Sequence, residues 1–173
     1  GIGLRSQIRI GAAGKIISGF DVLRTLALGA DWCNSARGFM FAIGCIQAQA
    51  CHTGRCPTGV ATQDPIRQKA LVVEDKSDRV KNFHHNTLLA LAELLEAAGI
   101  THPQLLRAHH VVRRISSSEV KLLSAIYPEL EEGDLLKEQY RQKIFELAWP
   151  LAQADSFAPR YSVASMIGQA YRD

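Results

Sequence analysis

Cys45, Cys51 and Cys56 fall in one short string, GCIQAQACHTGRCPTGVATQD, with five and then four residues between them. Gly54, Pro57 and Gly59 among polar neighbours make 51–64 an ordered loop rather than a helix or strand. Such a loop can wrap an ion, and this one presents three sulfurs to one point. Cys45 falls near a helix end, ahead of the loop that holds Cys51 and Cys56. Four cysteines in 173 residues are few for a disulfide scaffold, and in a reducing cytosol their clustering favours metal binding over cross-linking. The fourth, Cys33, stands apart.

The spacing leaves three readings open. Soft thiolates suit an iron–sulfur cluster, and three of them with no fourth nearby match a cluster with three ligated irons. A zinc site would recruit His52 as a fourth ligand, but structural zinc sites favour two-residue gaps between paired cysteines, which are absent here. The third reading is that these are small buried apolar residues, as free cysteines often are.

Ahead of the cysteines the pattern strand, glycine turn, helix occurs twice. Residues 7–13 read as a buried strand ending in Gly11, Ala12, Ala13 and Gly14; 20–28 has helical spacing, with Ser18 as N-cap and Gly29 closing it. A second strand follows at 30–35, then a turn at Ala36, Arg37 and Gly38, then a small apolar helix at 39–46. This order belongs to a parallel sheet. The chain opens on Gly1 rather than Met, with no partner strand before the first, so a fragment of a larger sheet is expected.

After Pro65 a short helix is expected. The strongest helical pattern is 78–98, with Val80, Leu88, Leu91, Leu94 and Leu95 along one side and Gly99 at its end. Short helices are expected at 103–108 and 118–126, the latter capped by Ser117 or Ser118 ahead of Glu119, with Arg113 and Arg114 between them. Past Gly133, a helix at 135–149 is stopped by Pro150. His84 and His85 are adjacent on a helix, cannot form an i,i+4 metal pair and read as surface residues, as do His109 and His110. The net charge of +3 is small and scattered, which argues against nucleic acid or a membrane surface as partner. No run is long enough to span a bilayer and the first residues lack a secretory pattern, so a soluble, cytoplasmic protein is expected.

The cysteine string resembles the cluster-binding segment of glutamate synthase, with the same intervals and a CPTGVATQD-like ending. Upstream, GFDVLRTLALGAD resembles the last barrel helix and strand of flavin-dependent (β/α)8 enzymes. The resemblance covers residues 4–75, and the kinship is with compact, stand-alone FMN-binding glutamate synthase-like proteins. It implies an α/β fold: residues 1–76 as the C-terminal fragment of a (β/α)8 TIM barrel, supplying its last two strands, and 77–173 as a mainly helical extension. In that family the loops after the last two strands bind the FMN phosphate. Gly14 and Lys15 would follow the seventh strand and Ser35, Ala36, Arg37 and Gly38 the eighth, where backbone N–H groups receive a phosphate. The large synthase carries an Asp-Gly-Gly turn and a Gly-rich final loop at these places. Ordinary turns for the glycines, and solvated charges for Lys15 and Arg37, are the competing readings.

The resemblance makes Cys45, Cys51 and Cys56 the ligands of a 3Fe-4S cluster and packs Cys33 in the barrel wall. It also implies an oxidoreductase in which electrons pass through the cluster to FMN, and the 2-imino acid of 2-oxoglutarate and ammonia is reduced to L-glutamate. Ammonia, free or glutamine-derived, the electron-donor protein and the rest of the barrel would come from outside this chain. Two alternatives are a related N-methylglutamate synthase-like subunit working on an amine donor, and a zinc-stapled docking domain without catalysis.

Overall fold

Ser18 and Asp21 set the first helix. In the computed structural model, which describes residues 1–137 and 151–156, α1 (Gly19–Ala27) opens with a capping box. The Asp21 N–H donates to Ser18 Oγ at 3.2 Å, and the Asp21 carboxylate accepts from the Ser18 N–H at 3.0 Å. That Ser18 N–H is the main reason the Asp21 carboxyl titrates below its usual range; partial burial opposes the shift, and the Ser18 hydroxyl, the Ile17 N–H and Arg24 add to it. Gly29, at φ 103°, turns the chain out of the helix.

β1 (Gly11–Ala13) and β2 (Trp32–Asn34) pair in parallel, with Gly11 opposite Trp32 and Ala13 opposite Asn34. The expected strand–helix–strand order is present, and mixed helices with small sheets fit the α/β class. The strands are shorter than the expected 7–13 and 30–35 because each has only one neighbour. Ahead of β1, the Ile10 N–H donates to the Asp31 carboxylate at 2.6 Å.

α2 (Ala36–Ala42) begins three residues before the expected 39 and ends four before the expected 46, so Ala36, Arg37 and Gly38 form its first turn rather than a loop. Gly38 is there for close approach: a Cβ on it would lie 2.6 Å from Phe83 Cζ and 2.8 Å from Ser35 Oγ. Gly44, at φ 105°, ends the helical path. α3 (Pro65–Gln68) is the short helix expected after Pro65, capped by an Ile66 N–H to Asp64 Oδ1 bond of 2.9 Å.

α4 (Val73–Ala97) starts five residues earlier than the periodicity indicates, with Glu74 and Asp75 suiting the positive end of the helix dipole. Its inward face carries Val80, Phe83, Thr87, Leu91, Leu94 and Leu95. Leu88, expected among them, is half exposed at 50%, one position past Thr87 and so rotated off the stripe. α4 packs against both α1 and α2. At the α1 contact a Cβ on Gly19 would lie 2.9 Å from Leu91 N and 3.0 Å from Thr87 O, so the two backbones nearly touch. Leu23 and Ala27 of α1, Leu91 and Leu95 of α4, and Leu106, Ala108, Val111 and Leu123 close one core.

The segment after Gly99 departs most from expectation. In place of a helix at 103–108 there are 3-10 turns at Pro103–Leu105 and Ala108–His110, separated by extended backbone that buries Leu106 and Ala108 two residues apart. In place of a helix at 118–126, β3 (Val112–Arg114) and β4 (Val120–Leu122) form an antiparallel hairpin, followed by α5 (Leu123–Ile126). The serines build the hairpin turn instead of a cap: the Ile115 N–H donates to Glu119 O at 2.9 Å and the Ser118 N–H to Ser116 Oγ at 3.3 Å. β-branched Val112 and Val120 favour the strands. The parallel pair is therefore joined by a second, antiparallel pair.

All these elements lie within one compact unit, residues 10–127; the described residues 1–9, 128–137 and 151–156 belong to another. In the latter, buried Asp134 accepts from the Glu131 N–H at 3.0 Å and Lys137 Nζ at 3.1 Å. Beyond the 3-10 turn Asp134–Leu136, the helix expected at 135–149 lies outside the described residues. Among the described residues no helix is long and apolar enough to cross a membrane.

Two substitutions probe this frame. Asp21→Ala should cost about 1 kcal/mol in urea unfolding at neutral pH. Because the folded pKa is depressed, that contribution is complete above the ordinary value of 3.8 and is lost as pH falls through the lower folded value, so the gap between wild type and variant should close on acidification. Gly38→Ala would gain about 1 kcal/mol from helix propensity alone. The Phe83 contact predicts the opposite sign, a net loss of about 1 kcal/mol in the same assay.

Candidate cluster and phosphate site

The cysteine segment begins where α2 ends. The Cys45 N–H donates to Met40 O at 2.9 Å, which fixes this half-buried residue to the last helical turn. Between Cys45 and Cys51 the backbone is left-handed at Gln47 (φ 56°) and Gln49 (φ 55°), which costs about 1–2 kcal/mol per non-glycine residue. Cys51 is exposed at the start of the 3-10 turn Cys51–Thr53.

From there the loop is knitted by its own polar groups. Thr53 Oγ1 donates to Ala50 O at 2.8 Å, Thr62 Oγ1 donates to Gly54 O, the Asp64 N–H donates to Thr62 Oγ1 at 3.1 Å, and Gln68 Nε2 reaches Thr62 O at 2.9 Å. Gly59, buried and at φ 78°, sits so close to Arg67 O that no Cβ would fit. The loop is thus seated on α3.

Cys56 is the most enclosed of the three, 7% exposed. Its Sγ lies 3.4 Å from Thr58 Oγ1. That hydroxyl, then the backbone N–H groups of Ala61, Thr58 and Val60, hold the thiol down to about 7, against a smaller opposing effect of burial. A sulfur that ionises near neutrality suits a soft metal. All four cysteines are free thiols. Cys33, in β2, is half-buried, and burial pushes its thiol up while a Thr25 hydrogen bond partly offsets this. Among the described residues no three His, Cys, Asp or Glu side chains stand close enough to hold a metal ion. The backbone at each cysteine is ordered, but the three sulfurs are not converged.

The phosphate candidates divide. Gly14 is exposed at φ 113°, with nothing within 4 Å of where a Cβ would be. Lys15, also exposed, is left-handed at φ 53°. Ser35 Oγ donates to Ile16 O at 2.7 Å, which ties the loop after β1 to that after β2. No side chain caps α2, so the first-turn amides of Ala36 and Arg37 are left for an outside acceptor, and both residues are exposed. Gly38 is drawn away from this group and buried against Phe83. The histidines gather no metal site among the described residues: His84 is exposed beside Phe39, and the His109 and His110 rings meet at a tilt of 58°, with His110 Nδ1 accepting from the Arg107 N–H. A cleft of about 440 Å³ elsewhere, lined by residues such as Phe20, Arg24, Arg113 and Tyr127, contains none of the expected site residues.

Thr58 and the left-handed residues escape a reading of types and spacing. A hydroxyl two residues past a cysteine is a turn-forming signal, which could have pointed to Thr58; nothing in the identity of Lys15, Gln47 or Gln49 marks positive φ.

Residues 1–101 match the conserved region in glutamate synthase. The glutamate synthase large subunit-like protein YerD of Bacillus subtilis is 51% identical over 112 residues, 65% of this chain and 21% of that protein. The archaeal-type glutamate synthase [NADPH] of Dehalococcoides mccartyi is 32% identical over 124 residues, 70% of this chain and 25% of that protein. The archaeal glutamate synthase [NADPH] of Methanocaldococcus jannaschii is 40% identical over 107 residues, 62% and 21% respectively. The matched segment thus spans about a fifth to a quarter of these relatives. No solved structure matches the chain. A match that covers 1–101 of 173 residues and takes in every cysteine identifies the chain as a member of the glutamate synthase family.

Proposed function

We propose that this chain is the cofactor-holding C-terminal part of a cytoplasmic FMN- and iron–sulfur-dependent glutamate synthase, which reduces the 2-imino acid formed from 2-oxoglutarate and ammonia to L-glutamate. Residues 1–76 supply the last two strands of a (β/α)8 barrel and the cofactor loops, and 77–173 the extension. The single observation that carries the reading is Cys45, Cys51 and Cys56 at this spacing, within a segment that matches the glutamate synthase conserved region. The thiolate-favouring surroundings of Cys56 suit a cluster ligand. Exposed Trp32 and Ile10, beside a sheet of only two strands, suit strands that continue into further neighbours.

In this reading Cys45, Cys51 and Cys56 ligate a 3Fe-4S cluster. The Ala36 and Arg37 amides receive the FMN phosphate with Gly14 and Lys15 alongside, Arg37 adds a charged fork, and Ser35 and Gly38 set the position of the helix start. Bound FMN supplies hydride chemistry and the cluster supplies single electrons. The chain's own work is to hold the phosphate on a helix start and the cluster on a hydrogen-bonded loop. Ammonia arrives from solution or another subunit. Two relatives are named for NADPH, and we take it as the source of electrons, passed on by a donor protein or subunit.

Iron and acid-labile sulfide, measured on the full-length protein purified without oxygen, should give about three irons per chain with broad visible absorption. Cys51→Ser should abolish both the iron and the colour. Stoichiometric zinc in a colourless protein would overturn the redox reading and leave a structural domain. Formation of L-glutamate from 2-oxoglutarate and ammonia is the activity to assay next, and an amine-dependent reaction in its place would redirect the substrate.

A further inference from the structure

We infer that the cleft between α1 and the β3–β4 hairpin binds a small organic anion, with its carboxylate or phosphate head on Arg113 and Arg24 and its apolar body over Phe20 and Leu28. The cleft shares no residue with the cysteine and phosphate loops, and the inference does not rest on the cluster reading.

The period of α1 builds one wall. Gly19, Leu23 and Ala27, four apart, are the buried stripe, and α1 packs against α4. Phe20, Arg24 and Leu28 form the next stripe, one position round the helix, and it is open: Phe20 and Leu28 are 47% and 46% exposed. The start of the hairpin, with Arg113, and Tyr127 just after α5 stand opposite. Val111 and Leu123 close the floor, 5% and 2% exposed, and the Leu123 N–H donates to Val111 O at 2.8 Å. At about 440 Å³ the space is of the size that takes a small molecule.

None of the residues lining this cleft is acidic, and three are arginines. Arg24 is offset by Asp21 at 3.5 Å. Arg113 is not offset: its Nη1 donates to Tyr127 Oη at 3.3 Å, and among the described residues it has no carboxylate partner. In the hairpin register Arg113 faces Lys121, a like-charge pair, and Lys121 turns to Glu119 at 2.9 Å. The Tyr127 bond thus holds at the cleft a guanidinium most of whose planar fork is unspent, and that fork matches a carboxylate or a phosphate. Arg114 Nη1 is taken by Ser117 O at 3.3 Å, so Arg114 adds positive field rather than a second fork. A bare inorganic anion would leave Phe20 and Leu28 in water, and a neutral apolar molecule would leave Arg113 unpaired. An anion with an apolar body meets both needs.

The test is calorimetric titration of the full-length protein with phenyl phosphate and with benzoate, against inorganic phosphate and benzyl alcohol, on wild type, Arg113→Gln, Arg24→Gln and Arg79→Gln. The last removes the same charge from an exposed position of α4 outside the cleft. The expected result is that phenyl phosphate or benzoate binds about tenfold more tightly than both inorganic phosphate and benzyl alcohol, that Arg113→Gln weakens this binding about tenfold, that Arg24→Gln weakens it too, and that Arg79→Gln leaves it unchanged. The tighter of the two probes names the head. Absence of binding by both probes overturns the inference, as it would if the rest of the full-length chain filled the cleft. Inorganic phosphate binding as tightly as phenyl phosphate overturns it, as does equal weakening in all three variants or unchanged affinity in Arg113→Gln or Arg24→Gln. Should Arg113→Gln fail to fold, Arg24→Gln against Arg79→Gln decides by the same criterion.

Discussion

Everything in residues 10–127 hangs on how closely α4 approaches α1 and α2. Two glycines make that approach possible, Gly19 at the Leu91 backbone and Gly38 under the Phe83 ring. At 25 residues α4 is about 37 Å long, enough to lie along both helices at once. Leu91 and Leu95 bury against Leu23 and Ala27, each leucine contributing roughly 2 kcal/mol of transfer free energy. With the two helices fixed, the strands that precede them are fixed as neighbours. The loops after those strands are then close enough for Ser35 to reach Ile16. A candidate site made of two loops is in this way positioned by a helix packed against α1 and α2.

What could be read from residue types alone follows the range of the forces involved. The Ser18 cap of α1, the short helix after Pro65 and the glycine stops at Gly29 and Gly99 are local chemistry, and the pattern reveals them. The order of β1, α1 and β2 was legible for the same reason. Gly38 was not, because a glycine within a helix and a glycine in a turn look alike until the opposing side chain is known. The serine run at 116–118 was ambiguous between a helix cap and a hairpin turn, and the Val111 to Leu123 backbone bond that folds the hairpin over is a tertiary fact. Leu88 was misassigned because helical periodicity fixes a stripe only to within about one residue's rotation.

The cysteine segment was legible as a loop, not in its strain. Lys15, Gln47 and Gln49 are the non-glycine residues with positive φ among the described residues, and all three lie in the segments that carry the phosphate and cysteine candidates. Strained backbone persists where its surroundings over-determine it, and it clusters at binding sites. The bond network from Thr53 to Gln68 ties the rest of the cysteine loop to itself and to α3.

α2 has a further meaning in the proposed assembly. It starts at the amides offered to a phosphate and ends at Ala42, three residues ahead of Cys45, with a rise of about 10 Å along it. A helix has no intermediate settings: one residue more or fewer moves its end by about 1.5 Å and swings it by about 100°. The separation of the two cofactors is thus counted in whole residues. In that assembly an insertion within α2 would shift and rotate the start of the cysteine segment relative to the phosphate amides.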